Sequence, residues 1–201
     1  MRPKSLRISN TRSTSIRSFI AVPIPESTRE RVAAVQARLR GPAGVKWVEP
    51  DLFHFTLRFL GSISAATVAD METALFAALA DQQAFPITLA GVGAFPQIRR
   101  PQTIWVGVTE GAYELEALAT GVETAVEQLG FPPEARPFRA HLTLGRVKAP
   151  RPPQELVAAL QAETPGALID RMLVDRVLLM RSDLGRTGPR YTPLAEFPLR
   201  Q

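Results

Sequence analysis

The chain contains two histidines, and they stand in matching surroundings: His54-Phe55-Thr56-Leu57 and His141-Leu142-Thr143-Leu144, 87 residues apart. In an extended strand, residues i and i+2 project from one face and i+1 and i+3 from the other. His54 and Thr56 therefore share a face, as do His141 and Thr143, while Phe55, Leu57, Leu142 and Leu144 supply the apolar backs. If the two halves pair about a pseudo-twofold axis, two histidines and two threonines converge on one cleft. An imidazole titrates near pH 6.5, so one ring can act neutral as a general base while the other acts protonated as a general acid. Two threonine hydroxyls can donate to phosphoryl oxygens as charge develops. In-line displacement at phosphorus needs base and acid on opposite sides, which a symmetric pair supplies.

Other chemistries lack their residues. There is no cysteine, which removes disulfides, thiolate nucleophiles and thiolate-bound zinc. Neither motif is followed by a third histidine or a nearby acid, so no metal site is expected. Neither GxxxxGK[ST] nor GxGxxG occurs, which leaves nucleoside-triphosphate hydrolysis and dinucleotide binding without support, and no cofactor is expected.

The motifs need strands, and the chain offers them alternating with helices. Ser18–Val22, Val45–Val48, Phe53–Leu60, Phe85–Val92, Thr103–Val108, His141–Val147 and Val174–Met180 have strand patterns, the last that of a central strand. Ser27 with Glu30 forms a capping-box pattern for a helix running to Gly41-Pro42. Ser64 can cap a second helix through Asp81. Tyr113–Leu129 and Pro153–Ala162 read as two more. Pro96, Arg99, Arg100 and Pro101 read as a loop, and 182–191 as a turn-rich run into a short closing strand. This alternation fits α/β or α+β architecture with helices layered on sheets. No strong linker divides the chain, so two lobes of one domain are expected over residues 18–201.

The formal charge of +5 arises from 24 Lys+Arg and 19 Asp+Glu. Arg2, Lys4, Arg7, Arg12 and Arg17 fall in an acid-free start, and positions 19–201 carry 19 charges of each sign. A protein that coats nucleic acid through a broad basic face is excluded; any phosphate is handled at a local site. Residues 1–17 have too little apolar surface to fold and read as a disordered basic extension. No stretch reaches about 18 consecutive apolar residues, so no membrane partner and a cytoplasmic location are expected.

The two motifs in these flanks resemble the 2H phosphoesterase superfamily, and more closely the bacterial and archaeal RNA 2′,3′-cyclic phosphodiesterases once described as 2′-5′ RNA ligases. Trp47-Val48-Glu49-Pro50 ahead of His54–Gly61, Gly93-Ala94-Phe95-Pro96, Trp105-Val106-Gly107, Pro137-Phe138-Arg139, and Arg181-Ser182-Asp183-Leu184 with Gly188 and Tyr191 carry the likeness. It implies an α+β bilobal fold: two pseudo-twofold-related lobes that exchange strands, each an antiparallel sheet packed by helices, with the cleft between the sheets. It also implies metal-independent hydrolysis of an RNA 2′,3′-cyclic phosphate to a 2′-phosphate by a monomer, with reversible 2′-5′ ligation as an accompanying activity.

In that resemblance His54 is the proton donor to the departing 3′-oxygen and His141 the proton acceptor from water. Arg146, five residues after His141, contacts the phosphate. Strict alternation would put Arg146 on the wrong face, so a bulge or the strand end must redirect it. Arg58 shares parity with His54 and is a second substrate-binding candidate at the cleft mouth. Trp47, Phe59 and Tyr191 are candidates for base stacking or core, and Arg99-Arg100 for an RNA guide or a solvated loop. The competing functions are a phosphodiesterase acting on small cyclic nucleotides or 2′-5′ linkages, and a non-catalytic RNA-end binding module.

Overall fold

Asp175 is where the chain crosses between two antiparallel sheets. The computed structural model describes residues 15–41, 44–163, 166–186 and 188–201. The first sheet holds β1 (Ile16–Pro23), β3 (His54–Ile63), β8 (Arg176–Gly185) and β9 (Gly188–Pro198), in the order β3-β1-β8-β9. The second holds β2 (Val45–Trp47), β4 (Phe85–Gln97), β5 (Arg100–Val108), β6 (His141–Val147) and β7 (Leu168–Val174), in the order β2-β6-β5-β4-β7. Each sheet mixes both halves of the sequence: early β2 edges the second sheet, and late β8 and β9 complete the first. The architecture is α+β.

Four helices cover the sheets. α2 (Ala65–Leu79) and α3 (Ala112–Gln128) pack on each other and on the first sheet, whereas α1 (Glu26–Leu39) and α4 (Gln154–Glu163) pack together and on the second. Their apolar stripes, Val32 and Val35 on α1, Met71 and Leu75 on α2, Leu115 and Leu118 on α3, and Leu156 and Leu160 on α4, are buried against Ile20, Phe55, Ile104, Val106 and Leu142. Each such fully buried side chain stabilises the fold by roughly 1.5–3 kcal/mol relative to exposure. Ser64 caps α2 as expected, its hydroxyl accepting from the Thr67 amide. No described helix is long and apolar enough to cross a membrane.

Several elements differ from the sequence expectation. α1 starts at Glu26 behind Pro25, so Ser27 already lies inside the helix and no side chain caps its N-terminus. β1 begins at Ile16, two residues before Ser18, and pairs back to Ile63; residues 1–14 of the expected extension lie outside the described residues. The expected strand Val174–Met180 is instead the end of β7 and the start of β8, in different sheets. The loop around Pro96–Pro101 is a β4–β5 hairpin in which Pro96 faces Pro101 and Gln97 faces Arg100. β9 is a long strand, not a short one.

Two bulges fall at equivalent points of the two motifs. On β3, Ala21 faces Thr56 and Ile20 faces Arg58, leaving Leu57 as an extra residue. On β6, Trp105 faces Thr143 and Ile104 faces Gly145, leaving Leu144 as the extra residue. In each copy the residue three after the histidine is bulged. That residue and its successor both turn inward: Leu57 with Arg58, and Leu144 with Gly145, are all buried. The fifth residue then returns to the histidine's face. It is Phe59 in one copy, 56% exposed, and Arg146 in the other.

Candidate active site

Each motif histidine is locked by the backbone of its own strand entry. His54 Nδ1–H donates to the Leu52 carbonyl at 2.7 Å, and His141 Nδ1–H donates to the Arg139 carbonyl at 2.7 Å. In both copies the acceptor is the carbonyl two residues earlier. Fixing the proton on Nδ1 leaves Nε2 as the reactive atom of each neutral ring. The Thr56 hydroxyl donates to His54 Nε2 at 2.9 Å. His54 is thus engaged by its own motif threonine, and His141 has no protein hydrogen bond at Nε2 among the described residues.

Aromatic side chains fix the ring planes. Phe19 from β1 lies 4.9 Å from His54 in a tilted arrangement, and Tyr191 from β9 meets His54 edge-on at 5.5 Å. Phe95 from β4 meets His141 edge-on at 5.0 Å and also touches Trp105 at 5.2 Å. Trp105 lies flat over the sheet because its neighbours there are glycines: a Cβ on Gly93 would overlap the indole, and one on Gly107 would lie 3.1 Å from it. Sequence reasoning did not assign Phe19, Phe95 or Trp105 to the site, although Phe95 and Trp105 lie in segments it singled out. The signal available was small residues alternating with aromatics on β4 and β5.

The site is electropositive and partly desolvated. Burial lowers the His54 pKa below the ordinary imidazole value, opposed by the bond to Leu52 and reinforced by the facing charge of His141. Burial likewise lowers that of His141, opposed by the bond to Arg139 and reinforced by the Arg146 guanidinium. Both shifts favour the neutral form of each ring. Burial pushes the Tyr191 hydroxyl upward, while Arg146 and Arg17 pull the other way. Tyr191 belongs to the first sheet and Arg146 to the second, so these fields couple the two walls of one cleft.

The bulge at Leu144 turns Arg146 to the face of His141 and Thr143, where its guanidinium lies 3.4 Å from the Thr103 hydroxyl. The Leu144 carbonyl accepts from the Val48 amide at 2.9 Å and from Gln36 Nε2 at 2.9 Å, and Gln36 also donates to the Val48 carbonyl at 2.7 Å. This buried glutamine from α1 pins the bulge and was not foreseen from sequence.

Arg58 departs from expectation. The matching bulge at Leu57 turns it away from the cleft, where it is 5% exposed and faces Glu123 of α3 at 2.9 Å and Glu134 at 2.5 Å, with a further bond to the Pro132 carbonyl. It fastens the 132–134 connection and does not line the cleft mouth. Trp47 is also placed on the buried side, its ring covering Gly145, where a Cβ would come within 2.9 Å. Phe59 remains on the cleft face beside Phe19, at 6.2 Å.

Among known proteins, the LigT-like phosphoesterase family matches this chain twice, over residues 22–105 and 106–191. Each match contains one motif, as the internal duplication requires. An RNA 2′,3′-cyclic phosphodiesterase of Methanothermobacter thermautotrophicus is 36% identical over 185 residues, spanning 92% of this chain and 99% of the relative. The crystal structure of a Thermus thermophilus protein superposes with a TM-score of 0.78 at 31% identity, covering 92% of this chain and 98% of that one. Escherichia coli LigT complexed with 3′-AMP superposes with a TM-score of 0.77 at 26% identity, covering 93% and 99%.

Proposed function

This chain belongs to the LigT-like phosphoesterase family, and from that premise we propose that it hydrolyses the terminal 2′,3′-cyclic phosphate of RNA to a 2′-phosphate, using His141 as base and His54 as acid. The observation that carries the reading is the paired tautomer lock: both rings hold Nδ1–H on a carbonyl two residues upstream, which leaves Nε2 as the reactive atom of each. His141 Nε2 takes a proton from water as the water oxygen attacks phosphorus. The bond from phosphorus to the 3′-oxygen breaks, and His54 Nε2–H delivers its proton to that oxygen. The phosphoryl group stays on the 2′-oxygen.

For this sequence His54 must first gain a proton, although burial keeps it neutral in the free protein. The anionic cyclic phosphate supplies the missing counter-charge and raises its pKa on binding. The Thr56 hydroxyl, released from Nε2, then donates to a non-bridging phosphoryl oxygen, with Thr143 and Arg146 holding the others. The neighbouring Arg146 charge disfavours protonation of His141, which suits a base. The reading takes the protein as a cytoplasmic monomer that needs no metal.

The test is a 2′,3′-cyclic-ended oligonucleotide incubated in EDTA, with mass analysis of the product end. A 2′-phosphate is expected, with losses of about 10²–10⁴-fold for His54→Ala and for His141→Ala. A 3′-phosphate product would reverse the assigned leaving group, and full activity in both variants would remove the histidines from the chemistry.

A further inference from the structure

The second sheet carries a row of residues across four strands at the end of the cleft. Lys46 on β2 faces Arg146 on β6, Arg146 faces Thr103 on β5, and Thr103 faces Phe95 on β4. Cross-strand partners share a face, so Lys46 lies on the cleft side beside Arg146. A third bulge extends the row. Phe95 faces Thr103 but Pro96 faces Pro101, leaving Gln102 as the extra residue, which returns Arg100 to the face of Thr103. The same result follows from β4, where Phe95 and Gln97 are two apart and Gln97 faces Arg100.

This strip has no counter-charge. Among the described residues, Lys46, Arg99, Arg100 and Arg146 form no ion pair, as is true of other surface cations such as Arg139 and Lys148. Placing Lys46 directly opposite Arg146 is itself unfavourable for a bare sheet, since like charges in facing positions repel. An anion that bridged the two would offset that repulsion. The facing wall differs: at the position equivalent to Arg146 it presents Phe59.

We propose that Lys46 and Arg100, flanking Arg146, form a track for the backbone phosphates of the nucleotides that precede the cyclic end, so that the enzyme grips an RNA strand and not only its last nucleoside. The inference rests on the cyclic-phosphate reading above. Arg146 then serves the reacting phosphate, and its two neighbours serve the phosphodiesters 5′ to it. Because the track contacts charge and not base edges, it is insensitive to sequence and sensitive to salt.

The experiment compares a nucleoside 2′,3′-cyclic monophosphate, which has no upstream phosphate, with a trinucleotide ending in the same cyclic nucleoside. Wild type, the double variant Lys46→Ala/Arg100→Ala and the charge-keeping Lys46→Arg/Arg100→Lys are assayed across a salt series. The expected result is a wild-type kcat/KM that favours the trinucleotide, a loss of about tenfold in that preference through KM in the alanine variant, and its return in the charge-keeping variant. The slope of log kcat/KM against log salt for the trinucleotide should flatten by about 1.4, at about 0.7 per single-strand phosphate contact. Equal losses on both substrates, or an unchanged salt slope, would overturn the track while leaving the hydrolytic reading intact. Failure of wild type to open either cyclic end would overturn both.

Discussion

Replacing Gln36 with leucine removes the side chain that pins the β6 bulge while keeping similar bulk. Gln36 is 1% exposed, and its amide donates to the Val48 and Leu144 carbonyls at 2.7 and 2.9 Å. The Leu144 carbonyl keeps a second donor in the Val48 amide, so losing its bond costs about 1 kcal/mol. The Val48 carbonyl is left with an unmet acceptor, worth about 1–3 kcal/mol. The total is about 3 kcal/mol, or a fall in Tm of about 6–12 °C for a domain of this size. The bulge also sets the face on which Arg146 sits, so the same change should raise KM for the cyclic phosphate about fivefold or more, with a smaller effect on kcat. Thermal unfolding and steady-state kinetics are read side by side with Val32→Ala. That residue is on the same helix and fully buried, so its truncation costs stability on the order of 2 kcal/mol without touching the bulge. If Gln36→Leu matches Val32→Ala in KM, or unfolds at the wild-type temperature, the pinning argument is wrong.

The remaining predictions concern charge. Both motif histidines have lowered pKa values, so both limbs of the kcat/KM profile should lie below the ordinary value of about 6.5, with activity falling as pH rises through 7 to 8; a flat profile over that range would contradict the assignment. The same shifts make stability pH-dependent. The unfolded rings bind protons near pH 6.5 while the folded ones resist, so the pair's contribution is complete above about 6.5 and is lost as pH falls below it; His54→Asn/His141→Asn should unfold by heat with a weaker loss between pH 6.5 and 5 than wild type. Arg58→Met should destabilise by about 2–3 kcal/mol, less than a fully buried pair because Glu134 is half exposed. Its kcat/KM at a temperature where it is folded should stay within about threefold of wild type, and a hundredfold loss would return Arg58 to the cleft.

The motif residues were legible because a strand alternates and both copies alternate in phase. What sequence could not show was where the alternation breaks. Leu57 and Leu144 look like ordinary inward residues, and nothing in their side chains marks them as extra. The need for a redirecting bulge was readable after His141, where Arg146 had the wrong parity. Applied to the first copy, the same reasoning would have moved Arg58 inward. β7 was missed because Asp170 and Arg171 interrupt its pattern; Asp170 is buried, satisfied by Thr28 at 2.6 Å and Arg31 at 2.6 Å, partners about 140 positions away. The β4–β5 hairpin was read as a loop because prolines cannot donate to a ladder. Pro96 and Pro101 face each other beside the Gln102 bulge, beyond the reach of β6, so the overhang tolerates both.

The duplication therefore explains more than the two histidines. Equivalent bulges impose the same order on each copy: a cleft-facing histidine and threonine, two buried residues, then a cleft-facing fifth residue. Backbone symmetry places the two histidines alike, and side-chain asymmetry distinguishes their surroundings. Where the buried slot holds Gly145, Trp47 can close over the sheet and the fifth residue is a cation that adds to burial in lowering the His141 pKa. Where that slot holds Arg58, its charge is matched by Glu123 and Glu134, and the fifth residue is an uncharged aromatic ring, so burial and the His141 charge alone oppose protonation of His54. A guanidinium at position 59 would set a cation in the first copy where Arg146 sits in the second. Phe59→Arg should thus lower kcat through the acid while Phe59→Leu lowers it far less. The kcat–pH profile decides the point: the alkaline limb should move to lower pH in Phe59→Arg and stay in place in Phe59→Leu, and coincident limbs would show that the identity of the fifth residue does not assign the catalytic roles.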